Sequence, residues 1–412
     1  MGAVTDAARG LTGLEGLGGM KRRSLLLGAS GLVLGAALAG CRRVPKGSTL
    51  QVDLLEGSVP PVLLDELQRQ FKPDARYQIR QADSLAGLYA RLQTYRPSPA
   101  ATAADGEAIA PTSRFRANIV GLGDAWLASA IREGLIQPLA VETLPGWAQV
   151  PAPWQQLVRR NAEGFPDAAG QVWAAPYRWG TLAIAYRKDH FDDQPPTDWD
   201  DLWQPKLTRR ISLPDQARVM LGLTLKSLGE SANSDDLGSI SALPAALAQL
   251  HQQVRFYSST AYLEPLILDD TWLAVGWSTD ILPLLKKNPR IGAVVPQSGT
   301  LLFADTWVRP VAPKSASATT DAVSDSATLE ALIQRWLAFY WEAEVATRMS
   351  LLGTAASPLV AVGDRSTLPE SLQANTPLLP SAEILERSEF LTPLSEATAQ
   401  TYRRLWLEVR QG

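Results

Sequence analysis

Cys41 is the only cysteine in 412 residues, and it ends an export-type leader, so whatever folds beyond it is held by packing with no disulfide to help. Lys21, Arg22 and Arg23 form a basic n-region, and Leu25 through Leu38 form a short apolar stretch loosened by Gly and Ala. Leu38-Ala39-Gly40-Cys41 closes it. The apolar run falls short of the ~20 residues that a membrane-spanning helix requires. Residues 1–19 are neither basic nor strongly apolar, which makes Met20 a second candidate start.

Leu38-Ala39-Gly40-Cys41 resembles a lipobox. The resemblance implies that the Cys41 thiol is alkylated by a diacylglycerol, that the preceding peptide is removed, and that lipid chains tether the new N-terminus to a membrane. Arg22-Arg23-Ser24-Leu25-Leu26 also resembles a twin-arginine export motif. Residues 1–40 are therefore expected to be a signal peptide and residues 41–49 a polar tether.

About 370 residues remain after the leader, more than one hydrophobic core usually serves, which favours two lobes. With 46% hydrophobic and 20% charged residues such cores can be filled. A net charge of -3 leaves no electrostatic footprint for nucleic acid. His190 and His251 are the only histidines and stand far apart, with no cysteine beside them and no His-Glu-x-x-His spacing. A zinc site or a histidine-dependent triad has little material, and no nucleophile elbow, P-loop or dinucleotide fingerprint is present. No cofactor is expected.

Strand and helix signals alternate along the chain. Leu50–Leu55 reads as a buried strand, and Val59-Pro60-Pro61 opens a helix with Leu63, Leu64, Leu67 and Phe71 on one face. A strand at 77–79, a helix carrying Leu85, Leu88 and Leu92, and a strand at Ile119-Val120 follow. Residues 95–116 and 313–328 are rich in small and turn-forming residues and read as surface insertions. Farther on, Ile211-Ser212-Leu213 reads as a strand, Asp215 as a helix cap, and Gly229 as the stop of that helix. Leu273–Trp277 and Ile291–Val295 read as strands, and the aromatic stripe of Tyr402, Leu405 and Trp406 as core. This alternation predicts an α/β fold with parallel strands.

Trp173 through Thr181, followed by Ile184-Ala185-Tyr186, resembles the interlobe crossing of polyamine-type periplasmic binding proteins. Trp199-Asp200-Asp201-Leu202-Trp203-Gln204-Pro205, Asp215-Gln216-Ala217-Arg218 with Leu228-Gly229, Val275-Gly276-Trp277, Val59-Pro60-Pro61 and Gly123-Asp124-Ala125-Trp126 extend it in register. The resemblance spans nearly all of the chain after the leader. It implies a two-lobed (type II-like) periplasmic binding protein, not an enzyme, that closes on a small solute and hands it as a monomer to an ABC permease. It also implies lobes of residues 50–177 plus 304–352 and 178–303 plus 353–412, crossed at Pro176–Gly180, near Phe303 and at Leu352–Ser357.

The resemblance also implies a site for a polyamine or another small organic cation, which needs carboxylates for its ammonium groups and aromatic walls for its methylenes. Trp277 matches a tryptophan wall, Asp305 matches an amine-holding carboxylate, and Phe303 replaces another tryptophan. Gln216 and Val219 stand where a second pair of carboxylates belongs, and Leu55, Ser58 and Leu122 replace polar or aromatic site residues. Glu56 and Asp124 are therefore candidate replacement charges, and Tyr177, Arg178 and Trp179 face either hinge or cleft. Residue types alone leave three other readings open. These are a receptor for a different solute, an exported enzyme built on paired carboxylates, and an assembly lipoprotein whose cleft is filled by its own side chains.

Overall fold

Proline at a first helical turn sacrifices no hydrogen bond, and Pro61 opens a helix, Pro61–Phe71, that buries Leu63, Leu67 and Phe71. The computed structural model describes residues 48–71, 75–96, 116–192, 194–312 and 320–411. The expected leader, Cys41, most of the expected tether and the bulk of the expected insertion at 95–116 lie outside the described residues.

Strands Ser48–Leu55, Ala75–Ala82 and Ile119–Gly123 pair in parallel, with Ser48–Leu55 in the middle. Ser84 caps the next helix, Leu85–Thr94, by accepting the Gly87 N–H at 3.1 Å. The second group holds Ile211–Leu213, flanked in parallel by Val254–Tyr257 and Leu273–Trp277. Its helix Ala217–Ser227 ends before Gly229, whose φ of 75° is left-handed. Asp215 is not its cap. Gln216 holds the capping position without a side-chain bond, and the Asp215 carboxylate reaches toward Arg410 at 3.7 Å.

Two long strands join the groups into one sheet. Ala175–Arg187 pairs antiparallel with Leu301–Pro310 over its first half and with Leu273–Trp277 and Ile291–Val294 over its second. Because strand side chains alternate, Leu182 and Ile184 enter one core while Ala183 and Ala185 enter another on the opposite face. The largest core lies beyond the first half, around Leu50, Leu63, Trp307 and Trp336. The α/β expectation matches this arrangement.

The segment expected to make a third crossing, Leu352–Ser357, packs with the largest core. Ala356, Val360, Leu372 and Leu379 still pack in the largest core, and Leu391 and Leu394 are the ones that pack against the second. A backbone bridge between Trp179 and Ala356 ties that segment to the first crossing strand. The stretch expected as surface insertion at 313–328 is helical from Thr320, at the start of Thr320–Phe339.

Candidate functional site

Leu55, Gly123 and Trp277, the last residues of three strands, line a space between the two halves. That space has two adjoining chambers. One, of about 730 Å³, is lined by Asp83, Asp124, Arg178, Tyr262, Asp280 and Asp305 among others. The other, of about 850 Å³, carries Arg132, Glu163, Arg218, Val219, Glu396 and Arg403. Trp277, Phe303, Gln216 and Asp124 border both. The cleft is not filled by its own side chains.

Trp277 ends its strand half-buried, with its ring 5.4 Å from that of Phe303 and nearly perpendicular to it. Phe303 lies opposite Gly180 in the strand register. A Cβ at Gly180 would stand 2.6 Å from the Phe303 ring and 2.5 Å from Ser278 Oγ, so glycine there lets both approach the crossing strand. Trp277 and Phe303 thus form an aromatic pair bordering both chambers.

Asp305 sits on the second crossing strand, in register with Arg178 on one side and Gly123 on the other. Cross-strand neighbours are close enough to pair, and Asp305 Oδ2 accepts Arg178 Nε at 2.7 Å and meets Nη2 at 2.6 Å. Both side chains are almost fully buried, at 1% and 5% exposure. Burial pulls the guanidinium pKa down most strongly, and the charge and hydrogen bond of Asp305 together with the contribution of Tyr177 outweigh it, leaving the pKa above the usual arginine value. Asp305 Oδ1 has no hydrogen-bond partner and lies against Gly123.

Asp124 begins helix Asp124–Arg132 one residue beyond Gly123, which brings it beside Asp305. Its Oδ1 accepts the Ala304 N–H at 3.1 Å. Burial pushes its carboxyl up to about 7, against the lowering effects of that bond and of Arg160. Asp280 stands in the first turn of helix Ser278–Lys287 and accepts a hydrogen bond from the Tyr262 hydroxyl. Its carboxyl is also raised, mainly by the surrounding protein. Gly276 leaves room for the Tyr262 ring, which a Cβ there would strike.

Three candidates are not brought to the cleft. Glu56 is exposed in the turn after the first strand and lines neither chamber, and Ser58 is buried behind that turn. Trp179 is fully buried, donates from Nε1 to the Ser357 carbonyl at 3.1 Å, and packs edge-on against Trp154. Sequence reasoning left Arg178 without a role and missed Asp280 and Tyr262. The only signal for Asp280 was its place three residues after Trp277.

Two α/β halves joined by crossing strands, with an open cleft between strand ends, define a two-lobed solute-binding protein. The chain belongs to the bacterial extracellular solute-binding protein family, whose profile matches residues 91–325. It is 22% identical over 353 residues to the spermidine/putrescine-binding periplasmic protein 1 of Haemophilus influenzae, covering 85% of this chain and 86% of that one. To the spermidine/putrescine-binding periplasmic protein of Escherichia coli K12 it is 22% identical over 389 residues, covering 94% and 98%. It is also similar in structure to PotD of Streptococcus pneumoniae, a spermidine/putrescine ABC transporter substrate-binding protein solved with calcium and HEPES. The TM-score is 0.70 at 21% identity, over 88% of this chain and 99% of that one. The family is one of binding proteins, which answers the enzyme alternative.

Proposed function

We propose that the protein captures a polyamine or a similar small organic cation and delivers it to an ABC permease. The observation that carries this reading is the charge of the smaller chamber, where Asp83, Asp124, Asp280 and Asp305 face a single arginine, Arg178, next to the Trp277 and Phe303 rings. A net negative, ring-lined cleft suits an ammonium group flanked by methylenes. Closure of the lobes then follows from tighter contacts in the closed form. The named specificities of the Haemophilus and Escherichia relatives agree with it.

Calorimetric titration with putrescine and spermidine tests the reading. One saturable site is expected, and Trp277→Ala is expected to weaken it by about 1–2 kcal/mol, roughly five- to thirtyfold, through loss of cation–π and methylene contact. Absence of binding by both amines contradicts the reading. The larger chamber suggests a second one, because Arg132 and Arg218 line it beside Glu163 and the paired Glu396 and Arg403. A solute with an amine at one end and a carboxylate at the other fits both chambers. It is distinguished by an ω-amino acid binding more tightly than the diamine of equal length.

The reading includes a membrane-tethered, monomeric receptor on the periplasmic side, anchored through Cys41 after removal of residues 1–40. No described helix is long and apolar enough to cross a membrane, and the leader motifs support a lipid anchor instead. Cys41→Ser is expected to abolish palmitate labelling and release the protein from the membrane fraction. Unchanged labelling and fractionation would show that the anchor lies elsewhere. Packing supports lobes divided as residues 50–177 plus 304 to about 385, and 178–303 plus about 391–412.

A further inference from the structure

Cations gather at the end of the second strand group that points away from the cleft. Strands Ile211–Leu213, Val254–Tyr257 and Leu273–Trp277 are parallel, and Trp277 at the finish of one of them lines the cleft, so the starts of all three lie at the far end. Arg209 and Arg210 precede the first of them and donate their N–H groups to the Gln252 and Gln253 carbonyls. The antiparallel strand Ala175–Arg187 finishes at the same level, where the Arg187 N–H meets the Trp272 carbonyl and the Lys188 N–H meets the Arg290 carbonyl. Helix Ser278–Lys287 has Thr279 and Asp280 at the cleft and brings Lys286, Lys287 and then Arg290 to this far end.

Lys188, Lys206, Arg209, Lys286, Lys287 and Arg290 are all exposed. Among the described residues none of the six forms an ion pair. Lys188 Nζ donates to the Pro289 carbonyl at 3.0 Å, Arg209 Nη1 donates to the Val254 carbonyl at 3.3 Å, and Lys206 stands over the Phe191 ring at 4.8 Å. Lys286 and Lys287 complement a helix C-terminus, whereas the other four stand in turns outside any α-helix. Carboxylates interleaved with them are mostly matched already. Arg187, 6% exposed, meets Asp189 at 2.7 Å and Asp269 at 3.2 Å, and Arg255 lies 3.5 Å from Asp270. Asp192 is exposed there as well.

The chain as a whole carries a net charge of -3, so this positive excess is local, and it attracts anions. Ile267 and Leu268, immediately before Asp269, are 44% and 72% exposed on the same end. Lysine is a flexible point charge that needs no fixed planar partner, which suits a fluid array of phosphates. Aliphatic side chains exposed beside cations suit the boundary between headgroups and acyl chains.

We propose that this end of the protein docks on an anionic phospholipid surface, with the six cations meeting headgroup phosphates and Leu268 entering the acyl boundary. The contact gives this half its own hold on a membrane, while the tether expected at Cys41 enters the other half at Ser48. It is independent of which solute the cleft takes.

The test is co-sedimentation of the full chain carrying Cys41→Ser, so that no lipid chain contributes, with vesicles of phosphatidylcholine alone or mixed with phosphatidylglycerol. Tighter binding to the mixed vesicles is expected. A triple variant, Lys286→Ala with Lys287→Ala and Arg290→Ala, is expected to bind them roughly a hundredfold more weakly, at about fivefold per cation. Residues 1–40 contribute equally to parent and variant. At about 1 M salt, where screening acts within about 3 Å against about 10 Å at 0.1 M, the difference between the two chains is expected to vanish. Leu268→Ser is expected to weaken binding severalfold at either salt concentration. Melting curves of the variants are expected to match the parent, since none of these side chains lines either chamber or packs in a core. Equal affinity for the two kinds of vesicle overturns the proposal, as does a triple variant within threefold of the parent. Should the triple variant not fold, Lys188→Ala with Lys206→Ala within twofold of the parent overturns it instead. Absence of binding to the mixed vesicles also overturns it and points to an acidic protein surface as the partner of this end.

Discussion

Asp305→Ala is expected to destabilise the protein by about 3–5 kcal/mol, the usual effect of removing one partner of a buried ion pair. The carboxylate it deletes is 1% exposed and is the ion-pair partner of Arg178, whose side chain is 5% exposed. Truncation leaves a guanidinium in the protein interior with its Nε and Nη2 donors unmet. The loss falls at the junction of the two crossing strands, since Asp305 and Arg178 are register partners and the register shifts at Asp305/Thr306. Replacing both members, as Arg178→Met with Asp305→Leu, removes the orphaned charge. That double variant is expected to recover most of the loss, because apolar replacement of a buried pair is often neutral. Chemical denaturation of the two single variants and the double variant reads this as a coupling energy. A cost below about 1 kcal/mol for Asp305→Ala, the range of exposed pairs, contradicts the buried pair.

The second large effect is a pH dependence centred on Asp124. Its carboxyl is raised from 3.8 to about 7, chiefly by burial, so between those values the folded protein holds a proton that the unfolded chain has released. The stability contributed by the protonated form is complete below pH ~4 and is lost as pH rises through about 7. A shift of this size corresponds to about 4 kcal/mol at most, at about 1.4 kcal/mol per unit. Asp124→Asn removes the titration. The difference in stability between variant and wild type is therefore expected to move in the variant's favour from pH 5 to pH 8. Urea denaturation at several pH values measures that difference directly, and a difference that does not change with pH disproves the assignment. In the cation reading the charged form is also the one that favours ligand. Amine affinity should rise through pH 7, and binding near pH 6.5 should release protons, seen as a dependence of the binding heat on the buffer.

Much of this protein was legible along the chain because the information is local. Side-chain direction in a strand or helix follows from its own backbone, so apolar spacing places Leu63, Leu67 and Phe71 on one helix face and Leu273–Trp277 in a buried strand. Proline and glycine mark the helix start at Pro61 and the stop at Gly229 for reasons that need no distant partner. The α/β alternation could be read from such signals, whereas the expectation that Trp277, Phe303, Asp305, Asp124 and Gln216 face the cleft came from the family resemblance; all five are in the lining of the smaller chamber.

Charge balance could not be read that way, because an ionic group's role depends on what is opposite it. Arg178 and Asp305 are 127 residues apart, and only the antiparallel register of two crossing strands makes them partners. The turn after Leu55 carries Glu56 away from the cleft, although it lies near Asp124 in the family-like pattern. Asp280 enters the chamber because its helix starts where the Trp277 strand ends and because Tyr262, from a separate segment, holds its carboxylate. The packing of Ala356, Val360, Leu372 and Leu379 in the largest core likewise depends on distant segments. Sequence alone determined the order of elements, which is a consequence of local backbone geometry. Tertiary structure decided which carboxylates are neutralised and which remain open to solute, because that depends on strand register and burial between distant segments.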